Sequence, residues 1–433
     1  QEINPREVAL RILHDIEIKD AFANQAVLSF LKNLYLSSLD RRFLSELVFG
    51  TTKMRRRLDY VLDLFLEGKL KKLTPWIRNI LRMGVYQIDF LKKVPPSAAV
   101  DESVKLAKKF GHKGTVALVN AVLRSYLRDK SQVSFPSWEK DKIGNIALFY
   151  SFPNWMVKRW LEIFGEEQTL KLCQAFNKRP RLCCRINRLK IDQNELEEIL
   201  RREKIKFKPG KFGKDFYSIE SKVDLNRFAP LQKGLIYFQD ESAGFPVYLL
   251  DPQPGEYIVD LCAAPGGKSI FIAEKMKDKG LVVAVDINVK KLQMARENCQ
   301  RLGVQSLRLC CGDAQNFSSH PMDKVIVGAP CSALGIIHSH PEVYSWLEEQ
   351  GDVRAIELPT SPLGPAASYD RYIGLNFTNV GEYHEREGWI VYLSTYHWKK
   401  IANGYSGYFA YHYNRTMTEM QGFPSRRTLE LLR

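Results

Sequence analysis

Cysteine is scarce in this 433-residue chain: eight residues, with Cys183 next to Cys184 and Cys310 next to Cys311. Such spacing gives neither the regular framework of a secreted disulfide scaffold nor the CxxC pairs of a zinc site. A reducing, cytoplasmic setting and no metal are the expectation. No apolar run approaches the ~20 residues that a spanning helix requires, so no membrane segment is expected. The opening stretch QEINPREVALRIL is charged and amphipathic and lacks the apolar core and cleavage site of a secretory leader. The phosphate-binding GxxxxGK[ST] pattern is missing, and the glycine-rich turn described below does not carry the GxGxxG of dinucleotide sites.

Acidic residues are also in short supply, but only in part of the chain. Residues 1–130 hold 24 Lys and Arg against 14 Asp and Glu, residues 131–230 hold 20 against 13, and residues 231–433 hold 20 against 22. The formal net charge of +15 therefore belongs to the first half. A basic surface of that size attracts a phosphate backbone, which makes nucleic acid the expected partner. The alternative is a basic face that is simply solvated.

The length predicts two or three domains. Residues 1–135 read as an all-helical bundle. Asn4 and Pro5 form a cap followed by a first helical position, and Ala9, Ile12, Leu13 and Ile16 make an apolar stripe. Thr74–Pro75 and Pro96–Ser97 repeat the start signal. Residues 136–230 read as a small, basic α+β connector. RPRLCCRINRLK (179–190) carries no acid and suggests a strand pair, Gln193–Arg202 an amphipathic helix, and residues 202–212 a strand with lysines outward.

From about residue 231 the pattern becomes strand, turn, helix. EYIVDLC (256–262), LVVAVDI (281–287), LRLCCGDA (307–314) and KVIVGAP (324–330) are apolar runs of the kind buried in a parallel sheet, with helices expected at Ser269–Lys277 and Val289–Leu302. The alternation predicts a doubly wound Rossmann-type sheet. DLCAAPGGKS (260–269) ends the first strand and opens a helix. Its glycines let the backbone approach a ligand, and a helix N-terminus offers free N–H groups. Asp286 ends the second strand, where an acidic side chain accepts hydrogen bonds from ribose hydroxyls. Asp313 ends the third and is placed to meet an adenine amino group. A ligand with a nucleoside but no pyrophosphate fits this pattern. Packing is the expected role of Cys310 and Cys311, and Arg55, Arg56 and Arg57 are either phosphate contacts or a solvated helix face.

DLCAAPGGKS, AVDIN, CGDAQ and APCSALG together resemble the RNA cytosine-C5 methyltransferases. DRRFLSELVFGTTKMRRRLDYVL (40–62), residues 78–124 and FQDESA (238–243) are similar to one branch of them, the RsmB/Fmu/Sun group, in which a NusB-like helical domain precedes the catalytic domain. The resemblance spans roughly residues 1–343. It implies an α/β Rossmann-type S-adenosylmethionine-dependent methyltransferase domain (231–433) behind an all-α NusB-like domain, acting as a monomer on cytosine C5 of small-subunit ribosomal RNA. It implies S-adenosylmethionine contacts from Cys262, Ala263, Ala264, Pro265, Gly266, Gly267 and Lys268, a ribose contact from Asp286, an adenine contact from Asp313, and a helper cysteine at Cys331 after Pro330.

The chain departs from that family at two positions. Gly328 occupies the slot of a family aspartate. Tyr396, in GWIVYLSTY, occupies the slot of the nucleophilic cysteine, and no cysteine follows Cys331. Three readings remain open: an impaired homologue that binds RNA and cofactor, an enzyme whose nucleophile is Cys331, or a tail (344–433) whose written residues differ from those of the native protein. His338 and His340 follow the Pro330–Cys331 pair and read as solvated loop residues or phosphate contacts.

Overall fold

The computed structural model describes residues 4–328 except 20, 33, 35, 212, 222, 226, 315, 316 and 320, together with 340, 341 and 389–392. The chain divides into two compact units, one built on residues up to Arg179 and one beginning at Pro180.

Among the described residues the first unit opens with seven α-helices: α1 (Pro5–Lys19), α2 (Ala23–Lys32), α3 (Ser38–Lys53), α4 (Arg55–Phe65), α5 (Pro75–Phe90), α6 (Pro96–Phe110) and α7 (Lys113–Asp129). Three begin at the prolines the sequence marks, and the Asn4 side chain accepts the Arg6 N–H at 2.9 Å. The apolar stripes converge on one core in which Leu10, Ile12, Leu44, Leu47, Leu62, Ile80 and Leu123 are fully buried. Burying such a side chain stabilises a fold by about 1.5–3 kcal/mol. A buried guanidinium interrupts this core. Arg82 donates to Asp59 at 2.6 and 2.8 Å and to Glu17 at 3.2 Å. Burial works against its charge, but Asp59 and Glu17 outweigh that cost and hold its pKa above the ordinary value.

Two further helices, α8 (Lys142–Tyr150) and α9 (Asn154–Asn177), belong to the same unit, and α9 breaks at Gly165, whose φ is 70°. They engage two members of the arginine triplet, Arg56 and Arg57. Arg57 lies over the rings of Phe90, Phe135 and Phe149 at 5.4, 5.2 and 4.6 Å and donates to the Phe149 carbonyl at 3.0 Å. Arg56 donates to the Asn154 side chain at 2.7 Å, and Arg55 pairs with Glu17 at 3.7 Å. These arginines tie helices together, so they do not form a merely solvated helix face.

Among the described residues the second unit contains two sheets. The first is antiparallel, in the order β2 (Phe207–Pro209), β3 (Phe216–Ile219), β1 (Leu182–Ile186), β4 (Ile236–Phe238). The segment 179–190 is thus one strand and not a pair. Asn187 ends it by accepting the Leu189 N–H on its side chain at 3.0 Å, while its carbonyl takes the Lys190 N–H at 3.1 Å. Helix α10 (Gln193–Arg202) follows, with Asp192 and Glu195 in a reciprocal capping box. Its apolar side, Leu196 and Leu200, packs with Cys184, Ile186 and Tyr217. A short helix α11 (Ala229–Gln232) precedes β4, and α12 (Glu241–Leu250) follows it.

The second sheet is parallel, in the order β7 (Leu307–Cys311), β6 (Leu281–Asp286), β5 (Tyr257–Leu261), β8 (Lys324–Val327), β9 (Trp389–Tyr392). Helices α13 (Gly267–Lys275) and α14 (Val289–Leu302) connect the first three strands in sequence. Alternation along the strands sends Ile258, Val282, Ala284 and Ile326 into one core, and Val259, Leu261, Val285 and Val327 into another. Both faces are covered, which is why these strands read as nearly continuous apolar runs. The strand order reverses at β5, with β6 on one side and β8 on the other. Ligands of doubly wound folds bind at the carboxyl ends of strands beside such a reversal.

Candidate cofactor site

The turn between β5 and α13 is fixed by its own backbone. Cys262 adopts φ 60° and Gly266 φ 92°. A Cβ added at Gly266 would fall 2.9 Å from the Ala295 Cβ, so glycine is needed both for the left-handed conformation and for the approach to α14. The Gly266 N–H returns to the Ala263 carbonyl at 2.8 Å, and the Ala263 N–H bonds the Val285 carbonyl at 2.9 Å. Helix α13 then starts at Gly267, and the first N–H groups of a helix have no intrahelical acceptor.

Asp286 is the hinge of the arrangement. Its Oδ2 accepts the Ala264 N–H at 3.0 Å, and its Oδ1 accepts the Asn288 N–H at 2.8 Å. The carboxylate is therefore locked between the glycine turn and the start of α14, with lone pairs remaining for hydroxyl donors. Asn288 caps α14 by accepting the Lys291 N–H at 3.1 Å.

Beneath the turn lies Asp260, fully buried. Its Oδ2 accepts the Ser269 hydroxyl at 2.6 Å, and its Oδ1 has no hydrogen-bond partner among the described residues. Burial pushes this carboxyl above the usual range, against the pull of Lys268. Burial, then the carboxylates of Asp286 and Asp260, push the Cys262 thiol up to about 12. Cys262 is consequently a neutral wall of the site and not a thiolate. At the end of β8, a Cβ added to Gly328 would meet Lys268 Nζ at 2.8 Å, so the slot of the family aspartate faces the ammonium of the turn.

The structure thus brings Cys262 to Lys268, Asp286 and Gly328 together. Asp313 sits two residues beyond the end of β7 and not at the strand end itself, because pairing with β6 stops at Cys311. Cys310 packs against the core beside Val259 and Val285, as expected, whereas Cys311 is exposed, with Sγ 3.9 Å from the Ile287 carbonyl. Cys331, Pro330, His338 and Tyr396 lie outside the described residues. In sequence, Cys331 and Tyr396 each stand four residues after the end of a strand, β8 and β9, and those strands are parallel neighbours. Sequence reasoning missed the Asp260–Ser269 pair, although an acid and a hydroxyl flanking the glycine turn were visible in DLCAAPGGKS.

Comparison with known proteins gives the same architecture. Residues 3–128 match the NusB family, residues 152–226 the ferredoxin-like domain of RsmF/B-like methyltransferases, and residues 247–363 the 16S rRNA methyltransferase RsmB/F family. A relative from Bacillus subtilis (strain 168), named "Probable ribosomal RNA small subunit methyltransferase B", is 34% identical over 365 residues, covering 83% of this chain and 80% of the relative. The chain belongs to the ribosomal RNA small subunit methyltransferase B family. Another member, from Synechocystis sp. (strain ATCC 27184 / PCC 6803 / Kazusa), is 35% identical over 347 residues, 79% of this chain and 77% of its own. The crystal structure of PH0851 shares the fold, with a TM-score of 0.65 at 23% identity over 81% of this chain and 79% of that one. For this family member, an all-helical NusB-like part followed by a methyltransferase part with a parallel sheet is the observed order of elements. Among the described residues no helix is long and apolar enough to cross a membrane.

Proposed function

We propose that this chain transfers a methyl group from S-adenosylmethionine to C5 of a cytosine in small-subunit (16S) ribosomal RNA. The observation that carries the cofactor half is the lock of Asp286 between the Ala264 and Asn288 N–H groups. It fixes a carboxylate at the end of β6, beside a glycine turn that lacks the GxGxxG pattern of pyrophosphate sites. The residues fit the group: Gly266 and Gly267 let the turn pack tightly between α14 and the end of β4, Asp286 receives the ribose hydroxyls, and Asp313 reaches the adenine. Gly312, where an added Cβ would meet nothing within 4 Å, leaves that side open.

When bound, S-adenosylmethionine supplies an electrophilic methyl group. The chain's own part is to make cytosine C5 nucleophilic. In the proposed chemistry the thiolate of Cys331 adds to C6, forming an S–C6 bond and raising electron density on C5. The enamine-like C5 then takes the methyl group, a C5–CH3 bond replacing the donor's S–CH3 bond with S-adenosylhomocysteine as leaving group. Once a base removes the C5 proton, the C5–C6 double bond returns, the S–C6 bond breaks and Cys331 departs as the thiolate. The target base must be unstacked for this attack. The basic helical part (1–135) and connector (136–230) grip structured RNA through phosphate, and the remainder (231–433) presents the donor.

The absence of any cysteine after Cys331 favours one second reading, an RNA-binding or assembly factor that keeps the cofactor fold without turnover. Cys331→Ala separates the two. An enzyme loses methyl transfer while retaining RNA affinity. If the unaltered chain already shows no transfer and binds RNA as tightly as the variant, the binding-factor reading holds.

A further inference from the structure

Arg185 is an arginine on a strand of the basic, antiparallel sheet, yet it is fully buried. Its guanidinium makes a two-pronged pair with Glu274 of α13, Nε to Oε2 and Nη2 to Oε1, both at 3.0 Å. The remaining arm, Nη1, donates to the Gly267 carbonyl at 3.2 Å and to the Gln239 side chain. The plane is held over the Phe271 ring at 4.3 Å and beside Tyr237 at 5.4 Å. A Cβ added at Gly267 would meet the Gln239 amide nitrogen at 3.2 Å and Tyr237 Cε1 at 3.4 Å, so the end of β4 closes over the first residue of α13.

We infer that Arg185 is a positioning residue for the cofactor turn, which makes the antiparallel sheet part of the donor site. The physical basis is the identity of the acceptor. Gly267 begins α13, and its peptide group directly follows the turn of Cys262 to Gly266. A guanidinium donating to that carbonyl fixes the tilt of the first peptide of the helix. The N–H groups of the following residues then point to one place before any ligand arrives. A buried ion pair alone gives little net stability, since desolvating two charges offsets their attraction. An apolar pair would fill this core as well, but it would leave the Gly267 carbonyl without its cationic donor. Preorganisation of the turn therefore accounts for the arginine better than stability does.

This inference rests on the cofactor reading of the turn, and the experiment keeps the two apart. S-adenosylhomocysteine binding is titrated calorimetrically to the full chain, to Arg185→Met/Glu274→Leu, and to Arg185→Lys, with melting temperature and RNA filter binding measured in parallel. The double variant replaces the pair with apolar side chains of similar length. It is expected to melt near the unaltered chain, to bind RNA equally well, and to bind S-adenosylhomocysteine about tenfold more weakly, the loss of one charge-assisted hydrogen bond. Should the double variant fail to fold, Arg185→Lys carries the test, because an ammonium holds Glu274 but cannot reach Gly267 with the same fork; several-fold weaker binding is expected. Unchanged affinity in a folded variant would overturn the role of Arg185 while leaving the cofactor site intact. No binding by the unaltered chain would overturn the cofactor reading and this inference together.

Discussion

An added Cβ at Gly328 falls 2.8 Å from Lys268 Nζ, which sets the end of β8 directly against the ammonium of the glycine turn. The neighbour in the way is the far end of a flexible side chain, so a larger residue fits after a small shift of Lys268. Gly328→Asp is therefore expected to form an ion pair with Lys268 and to tighten S-adenosylmethionine binding several-fold, an effect that fades in high salt. Gly328→Asn adds the same volume without the charge. Equal affinities for the two variants would show that the charge at this position is irrelevant.

Asp286 serves the turn and the proposed ribose contact with the same carboxylate. Asp286→Ala removes acceptors for two backbone N–H groups and for the ligand. Hydrogen bonds to charged groups contribute about 1.5–3 kcal/mol, so cofactor affinity is expected to fall about ten- to a hundredfold. Asp286→Asn keeps one oxygen acceptor and should fall between. Calorimetric titration reads all three, and an Ala variant with unaltered affinity would remove Asp286 from the site.

Four of the buried or half-buried thiols make a prediction about pH. Burial raises Cys173, Cys184 and Cys262 to about 12 and Cys299 to about 11, above the ordinary value of 9.0. Keeping a thiol neutral in the folded state contributes stability that is complete below pH 9.0 and is lost as the pH rises toward about 12. Melting temperature should therefore drop on going from pH 8 to pH 10.5, and Cys262→Ala should drop less steeply. At pH 8 iodoacetamide should label exposed Cys311 and spare Cys262. Rapid labelling of Cys262 in the folded chain would contradict its assignment as a neutral wall.

The parts of the fold that a one-dimensional pattern can carry were legible. The helical stripes of residues 1–130 and the apolar runs at β5 to β8 follow from periodicity, and Asp286 from its place at a strand end. Strands β3 and β4 have four and three residues, too few for alternation to register, and the basic run 179–190 suggests a strand pair where β1 alone forms. The arginines differ for another reason. Lys and Arg in sequence read as solvated or phosphate-facing, but Arg185 is paired with Glu274, 89 residues away, and Arg57 lies over three aromatic rings. Partners that distant leave no trace in local spacing.

Arg57→Ala is expected to destabilise the helical unit by about 2 kcal/mol, since it removes cation–π contacts and a hydrogen bond in a half-buried setting. Chemical denaturation measures this. The salt dependence of RNA binding should not change, because a residue that contacts phosphate lowers the slope of log affinity against log salt by about one when removed. A reduced slope would return Arg57 to the RNA surface.

Peptide mapping of residues 344–433 in the native protein bears on the chemistry. Cysteine at position 396 would supply the second thiol of the family and leave Cys331 to assist product release. Tyrosine at 396 leaves Cys331 as the nucleophile.

Nucleoside mass spectrometry of unmodified small-subunit ribosomal RNA, after incubation with the chain and methyl-labelled S-adenosylmethionine, is the most direct test of the proposed activity. The account predicts labelled 5-methylcytosine, absent with Cys331→Ala. Label on another atom, such as an exocyclic amine, or 5-methylcytosine that persists in Cys331→Ala, would contradict it.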